Sequence, residues 1–337
     1  MSADPEQLVA VVVIGRNEGE RLKLSLGSAL RSGCAMVYVD SASSDDSAAV
    51  AVHMGCSVVQ MDAARPMSAA RARNEGFAAA MKQMPQAEFV QFLDGDCEMA
   101  ESWLANGVAA LRERPEAAMV CGEVHEAAPN ASVYNKLCEL EWQQAPGEIC
   151  ACAGRFLIRS EVFRAVGGFR EDVIAAEDDE LCIRVRAAGW KIVQLDTAMA
   201  THDAAMTRFS QWWRRAQRTG HAYAQVSAMH GGSPEFYFVH ERQRVWLWGL
   251  VLPLAAITLA PWTHGWSLMA LVAAYAVQAA RIYNYGRKRG WQPRDAAVYA
   301  AFTVLFKYPA VLGMSAFYTR RWRGRGYRIM EYKKMSE

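Results

Sequence analysis

Two aspartates separated by one glycine, in Phe92-Leu-Asp-Gly-Asp-Cys97, can turn both carboxylates toward a single cation. Hard divalent ions such as Mg²⁺ or Mn²⁺ prefer such oxygen ligands and keep positions open for diphosphate oxygens. The intervening Gly95 permits a tight backbone turn. A second acidic cluster is Glu177-Asp-Asp-Glu180, followed by Arg184 and Arg186. Four adjacent acids repel one another unless they are solvated or find separate partners. A helix start tolerates some of them through its dipole. A carboxylate held near a hydroxyl can instead take its proton as a group is transferred to it.

These residues need elements to hold them. Leu8 to Ile14 is a continuous apolar, β-branched run closed by Gly15, the pattern of a strand buried on both faces. Leu22, Leu24, Leu26 and Leu30 lie in a helical segment ending near Gly33, and Ala35 to Val39 is a second strand that runs into the polar loop Asp40 to Asp46. A helix through Val52, a short strand from Ser57 to Gln60, an alanine-rich helix from Met67 to Met81 and a strand from Glu88 to Leu93 follow. Alternation of this kind predicts a parallel, doubly wound α/β sheet with right-handed crossovers. Ligands of such sheets bind beyond the carboxyl ends of the strands. Asn17, Glu18, Asp40, Asp94 and Asp96 all fall there.

The 337 residues accommodate one large α/β domain plus an appendage, or two domains. With 37 basic and 35 acidic side chains, no strong overall field points to a nucleic-acid partner. The eight cysteines lack framework spacing and read as small buried residues of a reducing compartment. Met1 to Gln7 is polar, without the basic and apolar regions of a signal peptide, which places the N-terminal part in the cytosol. From about Arg242 the composition turns apolar: Val245 to Trp262, Trp266 to Ala280, and Val298 to Tyr318, the last broken by Lys307 and Pro309. At about 1.5 Å per residue the first can cross a bilayer; a buried helical hairpin is the soluble alternative. Arg242 and Arg244 before the first segment, and Arg281, Arg287, Lys288 and Arg289 after the second, favour a hairpin that leaves the cytosol and returns. The third segment is then re-entrant or interfacial, because spanning would export the basic run from Arg320 to Lys334. The expected division is a catalytic domain over 1–241 and a membrane-associated helical region with a basic tail over 242–337, at the inner (plasma) membrane with the catalytic domain on the cytoplasmic side.

Several motifs in order give residues Leu8 to Gln225 a resemblance to the family 2 glycosyltransferases, which are inverting and have the GT-A fold. Val11-Val-Val-Ile-Gly-Arg-Asn-Glu18 resembles the family's opening strand and Asn-Glu turn, and Val39-Asp-Ser-Ala-Ser-Ser-Asp45 its nucleobase loop. Ala72-Arg-Asn-Glu-Gly76 resembles its Ala-Arg-Asn-x-Gly segment, Leu93-Asp-Gly-Asp-Cys97 its metal motif, Val166-Gly-Gly-Phe169 its acceptor-side turn, and Glu177-Asp178 its catalytic pair. The resemblance implies that Asp40 binds the base, that Asn17 and Glu18 line the nucleotide pocket, and that Arg73 helps hold the nucleotide or its phosphates. Asp94 is implied near the ribose and the metal, Asp96 as the principal ligand of Mn²⁺ or Mg²⁺, Asp178 as the general base and Glu177 beside it. His202, after an expected strand from Lys191 to Leu195, is either a further metal ligand, as in some GT-A enzymes, or a hydrogen-bonded loop histidine. Gln211-Trp-Trp-Arg-Arg215 departs from the Gln-x-x-Arg-Trp motif of processive members. Arg214, Arg215 and Arg218 can brace a diphosphate or lipid phosphates, or form an ordinary basic helix face.

The implied activity is non-processive, inverting transfer from a UDP- or GDP-linked sugar. The implied acceptor is a hydroxyl or phosphate, lipid-linked or membrane-proximal, in surface polysaccharide or glycolipid synthesis. A sugar-1-phosphate nucleotidyltransferase would need a Gly-rich basic loop after the first strand, where Gly15-Arg-Asn-Glu18 is acidic. A non-catalytic membrane scaffold would not need Asp94, Asp96 and Asp178.

Overall fold

The computed structural model describes residues 8–324. Met1 to Gln7, and Arg325, Arg328, Glu331, Lys333 and Lys334 of the basic run, lie outside the described residues.

The apolar opening run becomes strand β1 (Val9–Gly15), buried at every position. It is paired in parallel with β2 (Ala35–Asp40) on one side and β4 (Phe89–Asp94) on the other. β3 (Ser57–Gln60) extends the parallel half beyond β2. The crossovers are α1 (Glu20–Leu30), α2 (Ser47–His53) and α3 (Ala69–Gln83). Ser68 caps α3 by accepting the Arg71 amide at 3.0 Å, supplying one of the acceptors a helix start lacks. Gly76 lets α3 lie against the sheet: a Cβ there would stand 2.3 Å from Val12 Cγ1 and 2.8 Å from Val39 Cγ2.

Beyond β4 the chain forms β5 (Cys97–Met99), α4 (Trp103–Glu113), β6 (Ala117–Glu126), α5 (Val133–Trp142) and β7 (Gly147–Glu148). Then come β8 (Phe156–Arg159), α6 (Ser160–Ala165), α7 (Glu177–Ala187) and β9 (Lys191–His202). The sheet order is β3-β2-β1-β4-β8-β6-β9-β5, with β7 also on β9. The α/β class and the parallel half are as the sequence indicates, but the sheet is mixed. β8 runs antiparallel to both β4 and β6, while β6 and β9 are parallel. A buried apolar run such as Phe156 to Ile158 carries no signal of direction. β9 is also longer than the expected strand, so His202 is its last residue and not part of a following loop. Phe92 joins the two halves, with its ring centroid 5.4 Å from Phe156, 5.2 Å from Phe163 and 5.5 Å from Phe169.

The eight cysteines are all free thiols; six are buried, Cys56 is half-buried and Cys150 is exposed.

The chain forms two compact units. One comprises the residues up to Pro129 with Cys138–Ala204; the other comprises Asn130–Leu137 and the chain from Ala205 onward. The expected boundary at 241/242 therefore falls inside the second unit, whose first helix after Ala205 is α8 (Phe209–His230). There follow α9 (Val239–Trp246), a π-helical turn (Leu247–Val251), α10 (Leu252–Leu259), α11 (Trp266–Lys288), α12 (Pro293–Leu305) and α13 (Lys307–Trp322). The boundary shifts because α8, despite its basic composition, packs backbone to backbone with α13. A Cβ at Gly313 would stand 1.9 Å from the Gln217 carbonyl oxygen, and one at Gly220 would stand 2.1 Å from that of Ala310. α12 and α13 part at Phe306, three residues before Pro309, whose ring opposes continuation of the helix. Together, Pro293–Trp322 is the one stretch among the described residues long and apolar enough in a single helix to cross a membrane. α10 and α11 instead expose Leu254, Ile257, Met269 and Val272, and Trp262 and Trp266 at their junction are 74% and 68% exposed.

Substituting Gly313→Val should force α8 and α13 apart and destabilise the protein by about 1–3 kcal/mol or more. Gly232→Ala, where a Cβ meets nothing within 4 Å, should stay within about 0.5 kcal/mol of wild type. Thermal unfolding of the purified protein distinguishes the pair, and equal melting temperatures would contradict the close helix contact.

Candidate active site

Register alone brings the first polar residues together. Gly15 pairs with Asp40, and Ile14 pairs with both Val39 and Asp94, so β1, β2 and β4 end side by side. The Asp-Gly-Asp turn folds back on β1: the Gly95 amide donates to the Ile14 carbonyl at 2.7 Å. A Cβ at Gly95 would sit 3.1 Å from that oxygen and 3.2 Å from Glu18 Cγ. That close approach explains the glycine between the two aspartates.

The polar loops are built as cradles. Asp40 is buried and accepts from the Tyr38 hydroxyl at 3.2 Å and the Ser43 amide at 2.9 Å. Burial, then the Asp40 charge, push the Tyr38 phenol well above its ordinary pKa, so it stays a donor. Asn17 adopts a left-handed conformation (φ 56°) and ties the two loops together. Its amide donates to Ser43 Oγ at 3.0 Å and its Oδ1 accepts the Ser44 amide at 2.7 Å. Glu18 is paired with Arg21 at 2.9 Å.

α3 joins this edge to the second acidic cluster. Arg73 is 3% exposed. Its Nη2 lies 2.8 Å from Asp94 Oδ1 and its Nη1 lies 2.8 Å from Glu177 Oε1. The expected phosphate-holding arginine is thus placed as a brace between two carboxylates. Gly154 makes room for it, since a Cβ there would stand 2.2 Å from Nη2. The next residue, Asn74, clamps the Gly-Gly-Phe turn by accepting the Phe169 amide and donating to the Phe169 carbonyl, both at 2.9 Å. Burial alone would raise the Asp94 pKa, but the charges of Arg73 and then Arg155 outweigh it and hold the carboxyl below its ordinary value.

The four acids at the start of α7 have separate surroundings. Glu180 is fully buried and chelated by Arg184, with contacts of 2.6 to 3.0 Å. Glu177 is held by Arg73. Asp178 accepts the Asp179 amide at 3.0 Å. Burial first, then the charges of Asp179 and Glu177, push its carboxyl up to about 8. The helix opens on Ala176 in a left-handed conformation (φ 59°), an unfavourable choice for a residue with a Cβ. Strain of that kind is kept where a fixed geometry is needed.

Asp96 faces His202, whose Nε2 is 3.1 Å from Asp96 Oδ2. Asp96, Cys97 and His202 offer ligand atoms within 4.8 Å of one another, all three residues buried. Burial first pushes the Cys97 thiol up to about 12 against the pull of Arg155, and its soft sulfur suits a hard cation such as Mg²⁺ or Mn²⁺ less well than oxygen or nitrogen. The set that fits a cation is therefore one carboxylate and one imidazole. Asp94 is engaged by Arg73 and is not in that set.

Two residues that the sequence did not single out complete the cluster. Arg155 donates from Nη1 to His202 Nδ1 at 2.8 Å, and Trp142 stacks on the His202 ring at 4.5 Å between centroids and 25° between planes. Nothing in the composition of Ala151-Cys-Ala-Gly-Arg155 separates this arginine from a surface one. Arg214, Arg215 and Arg218 belong to α8 of the second unit.

An aspartate whose folded pKa is raised loses stability as pH climbs from its unfolded value to its folded one, here from about 4 to about 8. Asp178→Asn should therefore stabilise the protein by on the order of 1–3 kcal/mol at pH 8 and change little at pH 4.5. Melting curves of both proteins at the two pH values check this, and a pH-independent difference would contradict it.

Residues 10–172 match the sequence model of the family described as Glycosyl transferase family 2. Curated relatives are the pre-mycofactocin glycosyltransferases of two Mycobacterium tuberculosis strains, CDC 1551 / Oshkosh and ATCC 25618 / H37Rv. Each is 28% identical over 239 residues, covering 66% of this chain and 48% of the relative. The chain thus spans about half the length of the curated relatives it matches. Among solved structures, the mannosyltransferase PcManGT from Pyrobaculum calidifontis in complex with GDP-Man and Mn²⁺ aligns with a TM-score of 0.56 at 20% identity, covering 93% of this chain and 88% of that one. Residues 1–349 of S. aureus TarS align with a TM-score of 0.52 at 14% identity, covering 95% and 93%. These likenesses show the GT-A fold. Over residues 10–172, just under half of its length, the chain is similar to glycosyl transferase family 2.

Proposed function

We propose that this protein transfers a sugar from a nucleoside diphosphate sugar to an acceptor hydroxyl with inversion, assisted by a divalent cation. The observation that carries this reading is the arrangement around Arg73. One guanidinium holds the turn that bears Asp94 and Asp96 against the helix start that bears Asp178. Asp40, Asn17 and Glu18 line the side on which a base and ribose would lie. Asp96 and His202 would hold the cation, with Mn²⁺ suited by the imidazole nitrogen beside a carboxylate. The cation supplies charge stabilisation to the departing diphosphate. Asp178 takes the acceptor proton, and a carboxyl pushed up to about 8 is a stronger base than an ordinary aspartate.

The acceptor in this reading is lipid-linked or membrane-proximal, and transfer is one sugar per encounter. Its support is the apolar surface of α10 and α11, which in water would be a liability. Trp246 to Trp262, and Trp266 to Tyr283, each cover about 25 Å at 1.5 Å per residue, near the hydrocarbon thickness of about 30 Å. Their aromatic ends suit the two interfaces. α13, packed along the basic helix α8, is better placed at the membrane surface than across it. This puts the basic ends of the hairpin, and the catalytic unit, on the cytoplasmic side.

Release of nucleoside diphosphate from UDP- and GDP-sugars, with membrane extracts as acceptor, should require Mn²⁺ or Mg²⁺. In that assay Asp178→Asn should lower kcat by about 10²- to 10⁴-fold while nucleotide affinity stays within a few-fold; unchanged turnover would remove Asp178 from this role. Ile257→Lys with Val272→Lys should shift the protein from the membrane to the soluble fraction on flotation, and unaltered partitioning would count against the hairpin.

A further inference from the structure

Arg155 is buried to the same degree as Arg73 but is not neutralised in the same way. Both Nη atoms of Arg73 meet a carboxylate oxygen at 2.8 Å. Arg155 is 4% exposed, and its ion pair is with Asp94 Oδ2 at 3.8 Å. Its short hydrogen bond goes to a neutral acceptor, His202 Nδ1, and Nη1 also approaches the Cys97 thiol at 3.5 Å. Its buried Nε, like that of Arg73, has no hydrogen-bond partner. The Trp142 ring covers it at 5.4 Å. A buried guanidinium costs several kcal/mol unless an anion meets it, and here the paired carboxylate oxygen of Asp94 stands off at 3.8 Å, leaving room for a closer anion. Its neighbour is the Asp96–His202 pair, where a cation would carry diphosphate oxygens.

We propose that Arg155 binds the diphosphate of the donor, and that its hold on His202 is released when a cation seats there. This rests on the nucleotide-sugar reading given above. The release follows from donor and acceptor chemistry. Arginine only donates, so His202 Nδ1 accepts, and the neutral ring carries its hydrogen on Nε2, facing Asp96 Oδ2. A cation shared by Asp96 and Nε2 needs the Nε2 lone pair. The hydrogen then sits on Nδ1, where it opposes the Arg155 N–H. The Arg155–His202 hydrogen bond and a seated cation therefore exclude each other, and no net proton is gained or lost. Arg155 is freed at the moment a diphosphate is brought beside it. Cation and diphosphate are thus coupled through this one side chain, which assists departure of the leaving group with a positive charge of its own.

The test is titration calorimetry on the full-length protein with UMP, UDP, GMP and GDP, each with and without Mn²⁺. Wild type should bind a diphosphate more tightly than the matching monophosphate, and more so with Mn²⁺. Arg155→Ala should shrink that diphosphate preference by about 10- to 100-fold, the range of a charge-assisted hydrogen bond, with monophosphate affinity retained. Without nucleotide it should bind Mn²⁺ at least as tightly as wild type, having no arginine to displace. Arg155→Lys should restore part of the preference, and Arg155→Gln, which keeps the length without the charge, should not. A preference that is equal in wild type and all variants, or monophosphate and diphosphate affinities falling together, would overturn the assignment while leaving the nucleotide-sugar reading intact. A wild type that binds none of the four nucleotides would overturn both.

Discussion

Arg73 sets one guanidinium between two carboxylates that come from distant stretches of chain, Asp94 at the end of β4 and Glu177 at the start of α7. The three charges are largely withdrawn from water, where removing one partner of an ion pair typically costs about 3–5 kcal/mol. Everything around the bridge serves to keep it whole. Ser68 starts α3 in register, Gly76 seats α3 on β1 and β2, and Gly154 leaves the space that the guanidinium fills. Asn74 fixes the turn before α7 from the same helix. The Asp94 turn and the turn before α7 are thereby held by consecutive residues of one short segment.

The bridge also separates the acids by task. Glu177 is paired with Arg73 and Glu180 with Arg184, while burial first, and then the charges of Asp179 and Glu177, raise the pKa of Asp178. Asp94 is pulled the other way by Arg73 and Arg155. Two aspartates of the same intrinsic acidity thus end on opposite sides of neutrality, one fixed as an anion and one able to exchange a proton. Such divergence is how a single site runs acid–base chemistry near neutral pH.

Much of this was legible in the sequence because it depends on local periodicity. The apolar run from Val9 to Ile14 and the polar residues just beyond it define a strand end, and strand ends of a parallel sheet converge. The placement of Asp40, Asp94 and Asp178 follows from that and from the motif resemblance. Direction and partnership were not legible. The reversal at β8, the extension of β9 to His202 and the joining of α8 to α13 through Gly220 and Gly313 all depend on contacts between remote residues. Arg73 could be seen as important, but its two carboxylate partners lie 21 and 104 residues away. Arg155 left no trace at all, since a buried arginine and an exposed one look alike until the chain is folded.

The central claim is that Arg73 couples the Asp94 turn to the start of α7. A double-mutant cycle of Asp94→Asn and Glu177→Gln, measured by equilibrium unfolding in the Arg73 protein and again in an Arg73→Met background, tests it most directly. The account predicts a coupling energy of about 1–3 kcal/mol with the arginine present and about zero without it. Additive effects in the presence of Arg73 would show that the two carboxylates are held independently.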